Sequence, residues 1–234
     1  MFPNNLPDQH KLRNFFRQAS LLRYGKRELI LHASDTPSGV FFIKEGYIRV
    51  YRLSEGGEEL TLTILQPGDL FPLTFGLHKS NNQYFLESMT PLALWKAPQE
   101  SFLTFIKQDS EMFYQLVGES FVRFEGFLSR MEYFIFNTAY VKVAAALLTC
   151  AKTLGRRANS SAAVTIPVPL THRDIATMIG ITRETTSLEM KKLENQGFIR
   201  KSRRQITIVD EEVLERSLFA GNIELAPQQQ LLNS

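Results

Sequence analysis

The spacing of apolar residues changes near Ser110, and no other feature constrains the fold of this chain as strongly. Before that point, from about residue 23 to residue 97, apolar and polar residues alternate in short runs such as 47–51 and 60–65, with Gly and Pro between the runs. This pattern is typical of strands in a β-sandwich or barrel. The sequence therefore predicts a β-rich N-terminal part followed by helices.

A heptad pattern predicts one long helix directly after the strands. Seven residues lie at alternating spacings of four and three and form a seam: Phe113, Val117, Ser120, Phe124, Phe127, Met131 and Phe134. A second line, Phe121, Leu128 and Ile135, recurs every seven residues on an adjacent face. We expect one face to pack on the β domain and the seam to pack on the same helix of a second copy. A plain buried helix within one domain is the alternative.

Residues 171–208 carry the most specific pattern in the chain. Thr171 followed by Asp174 predicts the capping box of a short helix, and Gly180 turns the chain after it. Thr182 is the predicted N-cap of a second helix, which ends near Gly197. Its predicted buried stripe is Thr186, Met190 and Leu193. Two such helices are typical of a helix-turn-helix, whose second helix enters the DNA major groove.

Polar side chains on the second helix have the chemistry that base recognition needs. Arg183 could donate two hydrogen bonds to a guanine, and Glu184 could accept one from cytosine N4. The predicted base contacts are Arg183, Glu184, Ser187 and Leu188. A two-stranded wing follows, and the predicted phosphate contacts are Thr171, Thr182, Lys191, Arg200, Lys201, Arg203 and Arg204. The alternative is a small three-helix domain with an amphipathic surface helix.

Residues that typically end helices or form loops set the predicted domain boundaries. Asn137 and Thr138 are predicted to end the long helix and to act as a hinge. A helix over residues 139–154 should end at Gly155, and the polar residues 156–163 predict a loop. The predicted parts are a β domain (1–109), a dimerisation helix (110–136), a winged helix-turn-helix domain (137–220) and a tail (221–234).

Composition narrows the possible partners and cofactors. The net charge is only +3, but residues 171–204 hold eight Lys or Arg against four acids, which favours phosphate binding. The single cysteine, Cys150, cannot form a disulfide framework or ligate an iron–sulfur cluster within one chain. The four histidines show no ligand spacing, so neither a metal site nor a cupin-type enzyme is predicted. Without a signal peptide or an apolar run of ~18 residues, we expect a cytoplasmic protein without membrane contact.

These stretches resemble the Crp/Fnr family of transcription regulators over nearly the whole chain. The strongest match runs from Leu170-Thr-His-Arg-Asp-Ile-Ala to Leu-Glu-Asn-Gln-Gly-Phe-Ile199, and residues 46–51, 55–59 and 65–71 match as well. The resemblance implies an α+β fold. Its parts are an N-terminal antiparallel β-barrel of the jelly-roll (double-stranded β-helix) type, a long dimerisation helix and a C-terminal winged helix-turn-helix. It also implies a homodimer on near-palindromic double-stranded DNA, RNA polymerase as a partner and control by a small molecule.

Two stretches depart from the family pattern. Leu188 stands where many members carry a second arginine, so the operator should differ from the usual half-site. A leucine can still contact a thymine methyl. After Gly68-Asp69 the chain has Phe71-Pro72-Leu73 instead of the Gly-Glu of cyclic-AMP-binding members, and residues 81–87 lack an arginine. Cyclic AMP is therefore not predicted as the effector.

The sequence leaves the effector open. Haem-dependent members are similar over residues 68–76, but their ligating histidine would fall near Thr74, and His78 is expected at the surface. The N-terminal cysteine cluster of oxygen-sensing members is absent. The predicted effector pocket is apolar: Leu70, Phe71, Leu73, Tyr84, Leu86, Phe124 and Leu128. A constitutive DNA binder, whose β domain is a scaffold or contacts RNA polymerase, is the alternative.

Overall fold

The chain forms two compact units that meet between Phe127 and Leu128, inside one helix. The structure is a computed structural model that describes residues 9–78, 80–157, 162–202 and 205–219. The predicted tail, residues 221–234, lies outside the described residues. None of the described helices is long and apolar enough to cross a membrane.

The first unit begins with a helix and continues as a β domain flanked by helices. Its elements are α1 (Gln9–Phe16), β1 (Ser20–Tyr24), β2 (Leu29–Leu31), β3 (Val40–Glu45), β4 (Ile48–Leu53), β5 (Glu59–Leu65), β6 (Leu70–Phe71), α2 (Leu73–His78), β7 (Phe85–Ser88), β8 (Leu92–Ala97) and α3 (Gln99–Gln108). The long helix α4 (Ser110–Phe136) follows and crosses into the second unit.

The strands form two antiparallel sheets with the orders β1-β8-β3-β6 and β2-β7-β4-β5. Apolar side chains from both sheets, among them Phe41, Ile43, Ile48 and Leu86, meet in one buried core. The predicted β-rich domain is confirmed, but the sheets do not close into a barrel. Within the described residues β6 pairs only with β3 and β5 only with β4, so side-chain packing rather than backbone hydrogen bonding joins the sheets.

A second core lies on the outer face of the first sheet. Leu12 and Phe16 of α1 are fully buried and pack with Phe42 of β3 and Phe102 of α3. Because Val40 and Phe42 face this core while Phe41 and Ile43 face the other, strand β3 is buried on both sides. The helices α1 and α3 therefore complete the β domain, although the strand pattern did not predict them.

The side of α4 that packs on the β domain differs from both lines seen in the sequence. Met112 and Leu116 are buried in the second core, four residues apart. Phe121, from the second apolar line, is exposed. The expectation that one of the two lines packs on the β domain is wrong, because the packed face starts with Met112 and Leu116 and continues with polar residues.

The second unit contains the remainder of the helices and a third sheet. Its elements after α4 are α5 (Ala139–Leu154), β9 (Arg156–Arg157), β10 (Val164–Ile166), α6 (His172–Ile179), α7 (Arg183–Asn195), β11 (Ile199–Ser202), β12 (Gln205–Ile208) and α8 (Glu211–Phe219). Helix α5 is the centre of this unit, and its residues 143–148 are all buried. As predicted, α4 ends before Asn137, and Thr138 is the N-cap of α5.

The wing is part of a larger sheet than the sequence predicts. The hairpin β11-β12 extends through β10 to β9 in the order β11-β12-β10-β9. Arg156 and Arg157, placed in a predicted loop, form the short strand β9 because they pair with Thr165 and Val164. A strand of two arginines has no apolar alternation, so its pairing depends on β10 and not on a local signal.

Candidate nucleic-acid interface

Helix α6 starts from a complete capping box. The Thr171 hydroxyl accepts a hydrogen bond from the Asp174 backbone N–H at 3.1 Å, and the Asp174 carboxylate accepts from the Thr171 backbone N–H at 2.7 Å. Both donors belong to the open first turn of the helix, which otherwise lacks partners. The inward residues Ile175, Ala176 and Ile179 are buried, as the sequence predicts.

A glycine turn joins α6 to α7. Gly180 ends α6 with φ 68°, in the left-handed region that favours glycine. Two residues later the Thr182 hydroxyl accepts from the Thr185 backbone N–H at 3.1 Å and caps α7. The short connection fixes α7 relative to α6, as in a helix-turn-helix.

Helix α7 has one buried and one exposed face. The predicted stripe of Thr186, Met190 and Leu193 is buried. The predicted base contacts lie elsewhere on the helix: Arg183, Glu184 and Leu188 are exposed, and Ser187 is half-buried. Leu188 is 64% exposed, so its side chain takes little part in the core of the unit. The N-terminal half of α7 thus presents two charged side chains, a hydroxyl and an apolar side chain to solvent.

The predicted phosphate contacts lie on three elements around this face. Thr171 and Thr182 are the exposed N-caps of α6 and α7, Lys191 is exposed on α7, and Arg200 is exposed on β11. Lys201, also on β11, is half-buried. Arg203 and Arg204 lie outside the described residues. The interface assignment of these residues stays a prediction.

The sequence did not single out His172, the first residue of α6. Its Nε2 atom lies 3.4 Å from Lys201 Nζ. Burial lowers the pKa of His172, the positive charges of Lys201 and Arg183 lower it further, and Glu194 opposes them. Lys201 Nζ is in turn 3.6 Å from the Glu194 carboxylate. The start of α6, the start of α7 and the wing strand thus share one cluster of charges.

A second polar group unforeseen from the sequence lies on the buried side of α7. Glu189 is 9% exposed, and its Oε1 atom accepts from Lys192 at 2.9 Å. Among the described residues its Oε2 atom has no hydrogen-bond partner. Nearby, Tyr140 donates to Gln196 Oε1 at 2.8 Å, and burial together with the charge of Glu189 raises the pKa of Tyr140 to about 12. These contacts tie α7 to the first turn of α5.

The first unit contains a small recess between α1, the turn at Gly68 and α4. Its volume is about 40 Å³, and it is lined by Leu12, Gly68, Asp69, Leu70, Leu73, Leu116, Glu119, Ser120 and Arg123. The buried Asp69 accepts a hydrogen bond from Arg123 at 2.5 Å, and Arg123 Nε donates to Glu119 at 2.8 Å. Burial lowers the pKa of Arg123, but attraction to Asp69 and Glu119 outweighs that effect and raises the pKa above its ordinary value.

The structure brings together only part of the predicted effector pocket. Leu70 and Leu73 line the recess. Phe71 and Leu86 are buried in the core between the two sheets, where Phe71 stacks on Phe41. Two further members, Tyr84 and Phe124, are exposed side chains of the first unit. Leu128 belongs to the second unit. The Asp69–Arg123 pair was not predicted, because its partners are far apart in sequence.

The predicted seam is an exposed apolar surface in the single chain. Phe113, Phe124, Phe127 and Met131 are exposed, and Val117 is half-buried. Ser120 is exposed and its hydroxyl donates to the Leu116 carbonyl, and Phe134 is half-buried. Four exposed apolar side chains, Phe113, Phe124, Phe127 and Met131, on one line of a helix mark a candidate interaction surface.

The remaining histidines do not form a metal site. His78 is exposed in the last turn of α2, as the sequence predicts. Over the described residues no group of three His, Cys, Asp or Glu side chains is arranged to hold a metal ion. Cys150 is buried in α5, and burial raises the pKa of its thiol to about 12 while Arg130 opposes the shift.

Comparisons with known proteins match the two units separately and the chain as a whole. A family model for a cyclic nucleotide-binding domain matches residues 21–109, and one for a Crp-like helix-turn-helix domain matches residues 141–217. The global nitrogen regulator of Nostoc sp. is 26% identical over 88% of this chain and 95% of its own length. The cAMP-activated global transcriptional regulator CRP of Pasteurella multocida is 24% identical over 83% of this chain and 92% of its own.

A solved structure shows the same fold. The structure of FixK2 from Bradyrhizobium japonicum has a TM-score of 0.72 and 23% identity, and the match covers 85% of this chain and 96% of that chain.

A β domain, a long helix and a winged helix-turn-helix with an exposed second helix define a DNA-binding transcription regulator rather than an enzyme. The two family models and the relatives matched over nearly their full length identify it further: the chain belongs to the Crp/Fnr family. The predicted family and the α+β fold class are confirmed.

Proposed function

We propose that this protein acts as a homodimer that binds a near-palindromic DNA operator and contacts RNA polymerase there, under the control of a small molecule. The observation that carries the proposal is the exposed N-terminal half of α7, held on α6 by a capped glycine turn. A helix presented in this way enters the major groove with its N-terminal residues on the base edges. A protein with these partners works where the chromosome is, in the cytoplasm.

Base recognition rests on four side chains of α7. Arg183 donates to guanine O6 and N7, and Glu184 accepts from cytosine N4. Leu188 is exposed and apolar, so it favours a thymine methyl group over a polar base edge. Ser187 is half-buried between these positions and adds a hydroxyl that can donate or accept.

Sequence-independent attraction comes from the cations around α7. Lys191, Arg200 and Lys201 neutralise phosphates, with Arg203 and Arg204, which follow β11 in the sequence, as further candidates. The hydroxyls of Thr171 and Thr182 lie at helix N-termini, where backbone N–H groups favour phosphate oxygens. These contacts set the orientation of the protein on DNA but carry no sequence information.

The dimer forms through the seam of α4. Seven residues on one line of a helix, five of them aromatic or methionine, match the a and d positions of a coiled coil. Their exposure in the single chain supports a second copy as the partner, because pairing two identical helices buries both seams at once.

The recess at Asp69 and Arg123 is our candidate for the effector site. Its volume of about 40 Å³ holds little more than water, so an effector must widen it. Arg123 is already bonded to Asp69 and Glu119, so a ligand anion would have to displace two carboxylates. This arrangement favours a small apolar or neutral effector over a cyclic nucleotide, and binding at the recess would act directly on α4.

The proposal is tested by selecting bound duplexes from a random-sequence pool with the wild type and with Arg183→Ala. The wild type should enrich a two-fold symmetric sequence. The variant should lose the preference for one guanine in each half-site, a loss of about 1–3 kcal/mol. Arg216→Ala, an exposed arginine on α8, is the control and should keep the wild-type preference. If Arg183→Ala weakens binding to all sequences equally, Arg183 does not contact a base.

A further inference from the structure

His172 lies where three DNA-facing elements of the second unit meet. It is the first residue of α6, directly after the N-cap Thr171. Its Nε2 atom is 3.4 Å from Lys201 Nζ on the wing strand β11. The charges that act on it are Lys201, Arg183 at the start of α7 and Glu194 near the end of α7. His172 is therefore surrounded by the residues proposed to contact phosphates and bases.

In the free protein these surroundings disfavour a charged imidazole. Burial, Lys201 and Arg183 hold the pKa of His172 below its usual value of 6.5, and Glu194 only partly compensates. The positive end of the helix dipole at the start of α6 acts in the same direction. Near neutral pH the neutral ring accepts a hydrogen bond from Lys201, and Lys201 shares its charge with Glu194 at 3.6 Å.

Bound DNA changes the charge around His172 from positive to negative. Phosphates that approach Thr171 and Lys201 offset the positive charge that repels a proton on the ring. The phosphates also attract an imidazolium directly, and an ionised donor makes a stronger hydrogen bond to phosphate than a neutral one. The same contacts that hold the DNA thus favour the charged form of His172.

We propose that His172 takes up a proton when the protein binds DNA and donates it in a hydrogen bond to a backbone phosphate. The inference rests on the proposed placement of α7 in the major groove. It gives the regulator a DNA affinity that rises on acidification, without any effector. Since one histidine contributes per protomer, a dimer takes up at most two protons.

The direction and the size of the pH effect on DNA affinity follow from the linkage between proton binding and DNA binding. The pKa of His172 is higher in the complex than in the free protein, so binding tightens as the pH falls through the pKa of the complex. It becomes constant below the pKa of the free protein. Each unit of difference between the two pKa values strengthens binding about tenfold per protomer. Other groups contribute little near neutral pH, because His172 is the single histidine of residues 128–234 and the Cys150 thiol has a pKa of about 12.

The test measures the affinity of the full chain for its selected operator duplex between about pH 6 and pH 8. Wild type should bind more tightly at the lower pH, and His172→Gln, which cannot be charged, should show a flat profile. His172→Arg, which is always charged, should be flat as well, with tighter binding than His172→Gln. His78→Gln, an exposed histidine of the first unit, is the matched control and should keep the wild-type profile.

Salt provides a second readout that a structural role of His172 would not change. One extra phosphate contact in each protomer makes two per dimer, so the slope of log K against log salt concentration should steepen by about 1.8 at low pH compared with high pH. His172→Gln should have the same slope at both pH values. Proton NMR of the His172 ring should also give a higher pKa in the complex than in the free protein.

Three results would overturn the inference: a flat wild-type profile, a pH dependence that survives in His172→Gln, or an imidazole pKa that DNA leaves unchanged. The NMR titration decides the matter even if the glutamine variant does not fold. Failure of the proposed function gives a different result, since wild type would then show no preference for the selected duplex over random duplex at either pH.

Discussion

Leu188 is the residue that most clearly distinguishes the proposed base-contact surface of this regulator. It is 64% exposed on the same helix as Arg183 and Glu184, whereas the leucine one helical turn beyond Glu189, Leu193, is fully buried. Because the Leu188 side chain lies largely outside the core, the proposed complex assigns it a contact with a thymine methyl.

Replacing Leu188 with arginine should change which base pair the protein prefers. The new guanidinium can donate two hydrogen bonds to a guanine, so the preferred base at one position of each half-site should change from thymine to guanine. The expected discrimination is about 1–3 kcal/mol. Duplex selection with the variant measures it, and Leu60→Arg, which adds the same charge on the exposed part of β5, is the control. An unchanged preference in Leu188→Arg would show that position 188 does not reach the bases.

At the scale of single residues, the sequence predicts contacts between near neighbours in the chain, such as helix caps. It does not predict contacts between residues that are far apart in the chain. The caps Thr171 and Thr182 were predictable because each bonds to a backbone N–H three residues on. The Asp69–Arg123 pair joins residues 54 positions apart. In the sequence, Arg123 resembles a solvent-exposed residue beside the seam. Similarly, nothing near Glu189 indicates that it is buried.

Among the elements, the end of α5 shows how a correct sequence prediction can have a different physical cause. Gly155 does end α5, but its φ of −65° is available to any residue. A Cβ atom there would lie 2.2 Å from the Ala151 carbonyl oxygen and 2.3 Å from Val164 Cγ1. Glycine is needed because β10 packs against the end of the helix and leaves no room.

Gly155→Ala should therefore destabilise the protein, by about 1–3 kcal/mol as for an overpacked core. Gly118→Ala is the matched control, because a Cβ atom at this position in α4 meets nothing within 4 Å. Alanine at position 118 should stabilise the helix by about 0.5–1 kcal/mol, since it lowers the entropy lost on folding. Urea unfolding measures both changes, and equal effects of the two substitutions would contradict the packing argument.

The strand prediction succeeded where the sequence has short apolar runs or apolar alternation and failed where it has neither. Residues 60–65 alternate and lie in β5, but β9 consists of two exposed arginines that pair only because β10 is adjacent. Helices α1 and α3 were missed for a related reason. Their apolar residues Leu12, Phe16 and Phe102 belong to a core that the strands alone do not reveal.

The seam of α4 makes a prediction about assembly. Met131→Glu places a charge at a seam position that is 42% exposed in the single chain, and glutamate keeps a high helix propensity. Burying a whole methionine is worth about 1.5–3 kcal/mol, and Met131 has 42% of its surface left to bury, so each copy loses about 0.6–1.3 kcal/mol. The loss occurs twice in a symmetric dimer, so the dimer dissociation constant should rise about 10-fold or more.

Sedimentation analysis measures the dimer constant, and Tyr114→Glu is the control, because Tyr114 is exposed on α4 but off the seam. The control should remain dimeric. If Met131→Glu dimerises as tightly as the wild type, the subunits associate through another surface.

For the whole molecule, the two-fold symmetry of a dimer sets the distance between the two half-sites on the DNA. In the proposed complex, two copies of α7 related by a two-fold axis would enter successive major grooves on one side of the duplex, with centres about 34–36 Å apart. The two half-sites must therefore be separated by about one helical turn. Neither unit alone fixes this distance, because it depends on the pairing of two chains.

Lengthening the centre of the selected operator by five base pairs should abolish dimer binding, because half a turn places the half-sites on opposite sides of the duplex. Affinity should fall toward that for random duplex, on the order of 10³-fold or more. A control duplex with five substituted central base pairs and the original length should bind within a few-fold of the parent, since deformation of uncontacted base pairs changes affinity only modestly. Gel-shift titration with both duplexes distinguishes a dimer that binds both half-sites at once from two chains that each bind one half-site. Equal affinity for the lengthened operator would mean that each chain binds its half-site independently, and the α4 seam would then have no role in operator recognition.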